Sequence, residues 1–591
     1  MSTDFSVDTP QYGVVYEPGA ELTSDDIAMT SIELNRSSAA AACALTPYYK
    51  PQEAPLDALH AAMFPDRKQW LESIDTELCG LRAKGVLEPA ELPTDRDVEI
   101  IGTKDVLKKK LLFDNTVDKY KDRFTARGDQ QSPFSYEDTF APSVQLKSIR
   151  LLLILAQIFN LTVYHFDVCQ AFLNSPIEYD IYVELPKGFT AFGDFRYAKL
   201  RKSLYGLKQA AYDWNKLQNE FIMQYDNRWM KSMIEPCLYY LLDGPLICYM
   251  LVQVDDYIFG TNQQEYYMNF TKAYNDKYGI DDLGEISYVM QTKVIRTPSG
   301  YQLSSIGKID KILEKFDMVK CKTQDTPMPP GTQYEKHPSP DRDVPYLPML
   351  GSVAWVGRVD RPDISFPCSY HAQFCHTYGP EHFSGLQRIL RYLKHTRDHV
   401  LDLSPTTSTV VQDGVTLPEI VIKQYVDADW TGDKLDRKSV SGGLTYVNGA
   451  LADWGSCKQK TVATSSYEAE YVSTSEGAKD AMHICNLTEE VTKGIAHVRR
   501  PVMIFGDNQG AIQLARNAVN NRRSRHIDIR VHAVRDWSYK KWVKLEWVPT
   551  AENWSDMMTK ALGAPTLKKM RDRACVRVSK YLQDFIKKKQ S

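Results

Sequence analysis

The chain has little that would tie it to a membrane or to an oxidising compartment. Its longest apolar run is residues 151–159, interrupted by Gln157, about half of what a bilayer crossing needs. Its 11 cysteines are odd in number, widely spaced and never in a Cys-x-x-Cys pair, so free thiols are expected rather than a disulfide framework. The start, Met1-Ser-Thr-Asp-Phe, lacks the basic flank and apolar core of a secretory signal, and arginine is too scarce there for a mitochondrial presequence. Gly 31 and Pro 30 are too few for collagen-like or low-complexity material. A hydrophobic content of 43% excludes a wholly disordered chain. No internal repeat is present. An intracellular protein with no membrane association is expected.

Net charge is also nearly absent, at -3, but its distribution is uneven. Residues 1–60 hold nine acids and two bases, whereas residues 501–591 hold nineteen Lys/Arg against eight Asp/Glu. That asymmetry fits an acidic tail at one end and a surface for polyanions at the other, or two solvated faces that cancel.

Residues 1–55 lack periodicity and are rich in Ser, Thr, Ala, Asp and Pro, which predicts disorder. Trp70, Ile74, Leu78 and Leu81 recur at helical spacing. Residues 98–112 read as a strand pair with a turn at Asp114-Asn115, residues 148–159 as an apolar helix, and 163–168 as a short strand carrying Asp167. Residues 246–254 read as a buried strand that runs into Asp255-Asp256. A Pro-rich break at 326–340 precedes helices over 345–400, and a second break covers 404–418. A new α/β pattern follows, with strands at 420–427 and 502–505, hairpin strands within 442–454, and helices at 466–488 and 509–515.

Adjacent carboxylates at the ends of buried strands repel each other and tolerate burial badly. A hard divalent cation relieves both costs, and two such ions can align an attacking hydroxyl with a phosphate and its leaving group. A polar hairpin turn is the bland alternative for Asp255-Asp256.

The surroundings of these acids are specific. Tyr120-Lys-Asp-Arg-Phe-Thr-Ala-Arg-Gly, Glu137-Asp-Thr-Phe-Ala-Pro and Asp167-Val-Cys-Gln-Ala-Phe-Leu come in that order. Ile181-Tyr-Val-Glu-Leu-Pro, Leu200-Arg-Lys-Ser-Leu-Tyr-Gly-Leu-Lys-Gln-Ala and Val254-Asp-Asp-Tyr-Ile-Phe-Gly follow. Downstream come Gly351-Ser, Arg361-Pro-Asp-Ile and Arg391-Tyr-Leu-Lys. The ordered set resembles the reverse transcriptase of copia-type LTR retrotransposons over about residues 60–562. The resemblance implies an α+β right-hand polymerase of palm, fingers and thumb, a helical connection, and an α/β ribonuclease H-like domain. It implies metal-ligand positions at Asp167, Asp255 and Asp256, and a triphosphate grip at Arg123, where a guanidinium fork suits phosphate. Phe172 matches the position of an aromatic that excludes a ribose 2′-OH, and Tyr205-Gly206 the segment under the nascent base pair. Lys121 and Lys208 read as phosphate contacts or as solvated lysines. Three places depart from the family pattern: Gln253 stands for Tyr, Ala211 for Pro, and Asp122, Phe124 and Thr125 for Ala, Leu and Val. An acid beside Arg123 is expected to weaken its hold on a triphosphate.

A second set of acids lies in the C-terminal third. Tyr425-Val-Asp427-Ala-Asp429 ends a strand, Tyr467-Glu468-Ala-Glu470 opens a helix, Asp507 crosses from strand to helix, and Asp556 lies in Asn553-Trp-Ser-Asp556-Met-Met-Thr-Lys. Acids from such positions can converge on a two-metal phosphate centre. The arrangement resembles the ribonuclease H that follows reverse transcriptase in the same family. Asp427, Glu470, Asp507 and Asp556 take the catalytic positions, with Glu470 preferred to Glu468 and Asp427 to Asp429. Asp507 also fits a helix N-cap, and Asp556 a first-turn helix charge.

The resemblance implies two magnesium or manganese ions per active site. It implies RNA template, DNA primer, RNA–DNA hybrid and dNTPs as partners, integrase and capsid proteins of the same element, and a cytoplasmic particle with a nuclear phase. Arg522-Arg523-Ser-Arg525-His526-Ile-Asp528 would track the hybrid backbone. Trp537, Trp542, Trp547 and Trp554 are expected in the core. Cys368, His371, Cys375 and His376 mimic a metal cluster, but one helix cannot easily close a tetrahedral shell. The domain reading is 1–55 acidic and disordered, 56–325 reverse transcriptase, 326–418 linker and helical connection, 419–562 ribonuclease H-like, and 563–591 a basic tail. The family's capsid, protease and integrase motifs are missing from residues 1–60. The expectation is either a polymerase portion of a longer polyprotein or a relic reading frame.

Overall fold

The computed structural model describes residues 65–111, 117–185, 195–430, 436–516, 528–579 and 581–582. The acidic N-terminal segment, the Asp114-Asn115 turn, residues 522–527 of the basic segment and the lysines at 587–589 lie outside the described residues.

The fingers begin with helix Arg67–Ala83, which buries Trp70, Ile74, Leu78 and Leu81. These are the i, i+4, i+8, i+11 positions of one helical face. The stretch read as one strand pair is three short strands, each with a different partner. Glu99–Ile101 pairs parallel with Ile181–Glu184. Thr103–Asp105 pairs with Phe124–Ala126, and Lys108–Leu111 forms a hairpin with Val117–Lys121. Alternation alone could not reveal that the chain changes sheets at Gly102.

The palm is a six-stranded sheet whose middle holds Leu246–Gln253, Asp256–Thr261 and Thr162–Val168. The apolar helix Leu146–Ile158 packs behind it and buries every residue from Ser148 to Ala156. Beyond the palm, strands Thr292–Thr297 and Gly300–Ser304 join a five-stranded sheet that also contains His399–Asp402 and Val576–Val578.

That last strand corrects the basic-tail reading. Residues 564–578 contain helix Ala564–Arg573 and strand Val576–Val578, with Leu567, Met570, Ala574, Cys575 and Val576 buried. Lys568, Lys569, Arg573 and Arg577 are exposed on an amphipathic segment whose apolar side completes the sheet, whereas Arg571 is buried and donates to the Tyr392 hydroxyl at 3.1 Å.

The connection contains helices Tyr346–Val359, Ser365–Ala372 and Pro380–His395. Between the first two, the Arg361 guanidinium forks onto Asp363 at 2.9 and 2.7 Å with both side chains fully buried. Arg361 also donates to Thr396 O, and the Tyr392 hydroxyl donates to Asp363. A buried charge pair persists because each partner's hydrogen-bonding capacity is used.

The C-terminal domain is a five-stranded sheet in the order Ala450–Lys458, Val440–Val447, Ile422–Asp429, Val502–Gly506, Val543–Trp547. The first three strands are antiparallel and the last two run parallel to the centre. Helix Ser466–Val491 lies across it. This mixed order fits the ribonuclease H-like domain that the sequence resemblance implies. The domain packs directly on the palm. Arg150 donates to Ala452 O at 2.7 Å and to Arg358 O and Val359 O at 3.0 and 3.1 Å, and lies 3.9 Å over the Trp454 ring. Glu490 accepts from Ser232 Oγ and Met233 N, and Tyr249 donates to Val491 O.

Candidate functional site

In the palm, antiparallel pairing sets Asp256 opposite Asp167. Asp255 lies in the turn between two strands, and its carbonyl accepts from Val168 N at 2.8 Å. The turn is strained: Val254 has φ +61, a region that β-branched residues avoid. Trp214 Nε1 holds it by donating to Val254 O at 2.6 Å. Ligand oxygens of Asp167, Asp255 and Asp256 come within 4.8 Å of one another. Burial, then Asp255, Asp256 and Asp281, push the Asp167 carboxyl up to about 6. Burial and Asp256 raise Asp255.

The four residues assigned to the nucleotide gather beside these acids. The Arg123 guanidinium lies 5.5 Å over the Tyr205 ring, and Tyr205 meets Phe172 edge-on at 5.7 Å. Gly206 has φ +93, and a Cβ there would collide with Ala126 O. Only glycine lets this segment close on the fingers strand, where Ala126 N donates to Tyr205 O at 2.7 Å. Lys208 Nζ is 3.1 Å from the Tyr136 hydroxyl and 4.7 Å from that ring's centre.

Asp122 overturns one expectation. In the two-residue link between strands Val117–Lys121 and Phe124–Ala126 it turns inward, 2% exposed, while its neighbour Arg123 is exposed. Burial, Asp105 and Glu77 push Asp122 up to about 7. It is therefore a costly interior acid and not a neighbour on the exposed side where the Arg123 guanidinium lies.

Sequence reasoning missed two neighbours. His165, two residues before Asp167 on the same strand, places Nε2 3.1 Å from Asp256 Oδ1. Glu77 accepts from Gln170 Nε2 at 3.2 Å and feels the charges of Lys121 and Arg123. The i, i+2 spacing of His165 and Asp167 was a usable signal; Glu77 carried none.

In the C-terminal domain, ligand oxygens of Asp427, Glu470 and Asp507 lie within 4.8 Å of one another. Asp427 is on the central strand, Glu470 in the first turns of the long helix, and Asp507 just after Val502–Gly506. Asp556 comes from the first turn of the short 3-10 helix Trp554–Met558. Lys560 Nζ joins it to the others, 3.1 Å from Asp556 Oδ1 and 3.9 Å from Asp427 Oδ2. Thr559 Oγ1 donates to Asp427 Oδ2. The turn can approach because Gly442 faces Asp427 across the sheet; a Cβ there would meet Met558 Cβ at 2.5 Å. Glu468 accepts from Thr464 N and Oγ1, which makes it a helix-start group, and Asp429 lies outside the three-acid cluster.

Burial raises Asp427, Glu470 and Asp556; repulsion from Asp507 adds to all three, and repulsion from Asp427 to Glu470 and Asp556. Both clusters are sets of hard oxygen donors whose ionised forms lack full compensation, which is the donor chemistry that suits magnesium or manganese. Among the tryptophans, Trp554 stacks on Tyr425 at 4.2 Å and Trp537 is partly buried, whereas Trp542 and Trp547 are exposed. The Cys368–His376 residues bring no three ligand atoms together, and His371 faces the Tyr346 hydroxyl.

Residues 88–330 match the family of reverse transcriptases (RNA-dependent DNA polymerases). The Retrovirus-related Pol polyprotein from transposon RE1 of Arabidopsis thaliana is 33% identical over 474 residues, 80% of this chain and 31% of that protein. The one from transposon TNT 1-94 of Nicotiana tabacum is 30% identical over 512 residues, 84% of this chain and 37% of that protein. The chain belongs to the copia-type retrotransposon Pol family. It spans about a third of the length of these relatives. A foamy viral protease-reverse transcriptase in complex with double-stranded DNA aligns with 81% of this chain and 69% of that one, at 11% identity and TM-score 0.43.

Within this copia-type Pol segment, the departures from the family pattern have structural settings. Gln253 pairs with Asp256 at the mouth of the palm turn. Ala211 is the second residue of helix Ala210–Tyr225, where proline and alanine are both compatible with a first turn. Phe124 is fully buried in the fingers core.

Proposed function

We propose that the chain copies RNA into DNA at Asp167, Asp255 and Asp256 and cleaves RNA in RNA–DNA hybrids at Asp427, Glu470, Asp507 and Asp556. The observation that carries this reading is the presence of two separate carboxylate clusters, one in each half of a chain of this family. Two divalent ions in each site would supply charge neutralisation and alignment of the attacking oxygen. In the palm, Asp167, Asp255 and Asp256 hold the oxygen ligands in place. Arg123 faces the triphosphate with its fork, kept in position by the Tyr205 ring. Phe172 and Tyr205 form the apolar wall against the sugar, where an extra hydroxyl would be crowded. In the C-terminal site, Asp427, Glu470 and Asp556 form the buried side and the half-buried Asp507 the outer side.

The substrates are RNA template, DNA primer, dNTPs and hybrid. The setting is intracellular, a particle shared with the capsid and integrase proteins of the same element, with a nuclear phase. Domain limits near 55, 325, 418 and 562 remain part of the reading.

Primer extension on an RNA template with magnesium tests the first half, beside Asp255→Ala, Asp256→Ala. Cleavage of a labelled RNA strand in hybrid tests the second, with Asp507→Ala as control. Extension lost in the first variant and cleavage lost in the second are expected. A rival reading, a remnant that binds nucleic acid without turnover, is favoured by Gln253 at the primer end of the palm turn. Folded wild type that does neither reaction would establish it.

A further inference from the structure

The acids of the C-terminal site share one cation of the chain itself. Lys560 follows Asp556 by one helical turn of sequence, and its backbone N donates to Asp556 O at 3.2 Å. Its Nζ sits between two of the four acids, 3.1 Å from Asp556 and 3.9 Å from Asp427. Its charge also acts on Asp429 and Glu470. Thr559 fixes Asp427 from the same turn, so consecutive residues clamp the central strand to the Asp556 turn.

That position has a consequence for metal loading. Divalent ions bind carboxylate oxygen at about 2.0–2.1 Å when magnesium is the ion. An ion held by Asp427 with Glu470 and Asp507 would share the Asp427 carboxylate with the ammonium, whose Nζ is 3.9 Å from Asp427 Oδ2, a like-charge approach in a partly buried site. The ammonium must leave before the ion settles, and a four-carbon stem lets it do so.

We propose that Lys560 is a built-in counter-ion of the C-terminal site, holding Asp427 and Asp556 together in the metal-free protein and competing for Asp427 with the divalent ion that Asp427, Glu470 and Asp507 would hold. This rests on the ribonuclease reading above. The lysine sets the divalent-ion concentration at which the site fills. It is a positioning residue, acting through the carboxylates.

The test is calorimetric titration of the full chain with magnesium, in an Asp255→Asn, Asp256→Asn background that silences the palm. Lys560→Gln should take up magnesium about three- to tenfold more tightly than its parent, an effect on the scale of a partly exposed ion pair. Lys560→Arg should stay close to the parent. Metal-free Lys560→Gln should melt lower than its parent and gain more from magnesium. If Lys560→Gln is unfolded without metal, refolding on magnesium addition supports the proposal, and no refolding overturns it. Equal or weaker uptake in folded Lys560→Gln overturns the role of Lys560 alone. No uptake in the parent, with Asp427→Asn indistinguishable, overturns the ribonuclease reading itself.

Discussion

Replacing Arg150 with methionine should loosen the ribonuclease H-like domain from the palm. The side chain is buried and serves three backbone carbonyls on two other parts of the fold, Ala452 O, Arg358 O and Val359 O. Methionine keeps the apolar stem over Trp454 but removes every donor. A hydrogen bond from a charged donor contributes about 1.5–3 kcal/mol net, and a buried carbonyl left bare costs about 1–3 kcal/mol. The guanidinium–indole contact at 3.9 Å adds about 1–2 kcal/mol when desolvated. Against these stands the relief of desolvating a guanidinium beside Arg358, since burial already pushes Arg150 down to about 10. Non-additivity and water entry reduce the sum further, leaving about 3–5 kcal/mol. On a domain of this size that lowers the first thermal transition by about 10 °C. The assay is differential scanning calorimetry of the full chain, with limited proteolysis to see whether the C-terminal domain is released first. The Arg150→Lys variant, which keeps a charge but loses the fork, should fall between the two. A shift under about 2 °C, with the domains still unfolding together, would refute the clasp.

Three further outcomes follow from particular contacts. Asp122 has a folded pKa of about 7 against 3.8, so the native state binds more protons than the unfolded one between those values. Stability should then fall as pH rises from about 4 to about 7, by about 2–4 kcal/mol. Asp122→Asn should raise the melting temperature at pH 8 and change it little at pH 4; equal effects at both would refute the burial argument. Gly442→Ala would push Met558 and Thr559 away by placing a Cβ 2.5 Å from Met558 Cβ. Hybrid cleavage should drop at least tenfold with primer extension retained, as read in paired assays. Gly206→Ala drives a Cβ into Ala126 O at a φ of +93; it should cost more than about 2 kcal/mol in chemical denaturation and abolish extension.

The clustered acids were legible because their signals are local. An apolar strand that runs into Asp255-Asp256, or a strand carrying Asp427, shows its exit point in a few residues, and pairing then brings Asp167 opposite Asp256. The choice of Glu470 over Glu468 was also local, resting on Ala469-Glu470-Tyr471, which matches the family pattern better. The orientation of Asp122 was not, because residues 98–126 distribute their short strands among three partners. Without the partner, the buried side of a strand is undefined.

The sequence by itself determined the family, the two sets of acids and the succession of helices and strands around them. It could do so because periodicity, turn residues and motif order are written within a few tens of residues. Only the tertiary structure decided that Val576–Val578 closes a sheet with His399–Asp402 and Gly300–Ser304, that Arg150 binds palm to C-terminal domain, and that Lys560 stands among the acids. Each depends on groups brought together by packing, and neither a charge nor an apolar residue records which distant surface it will meet.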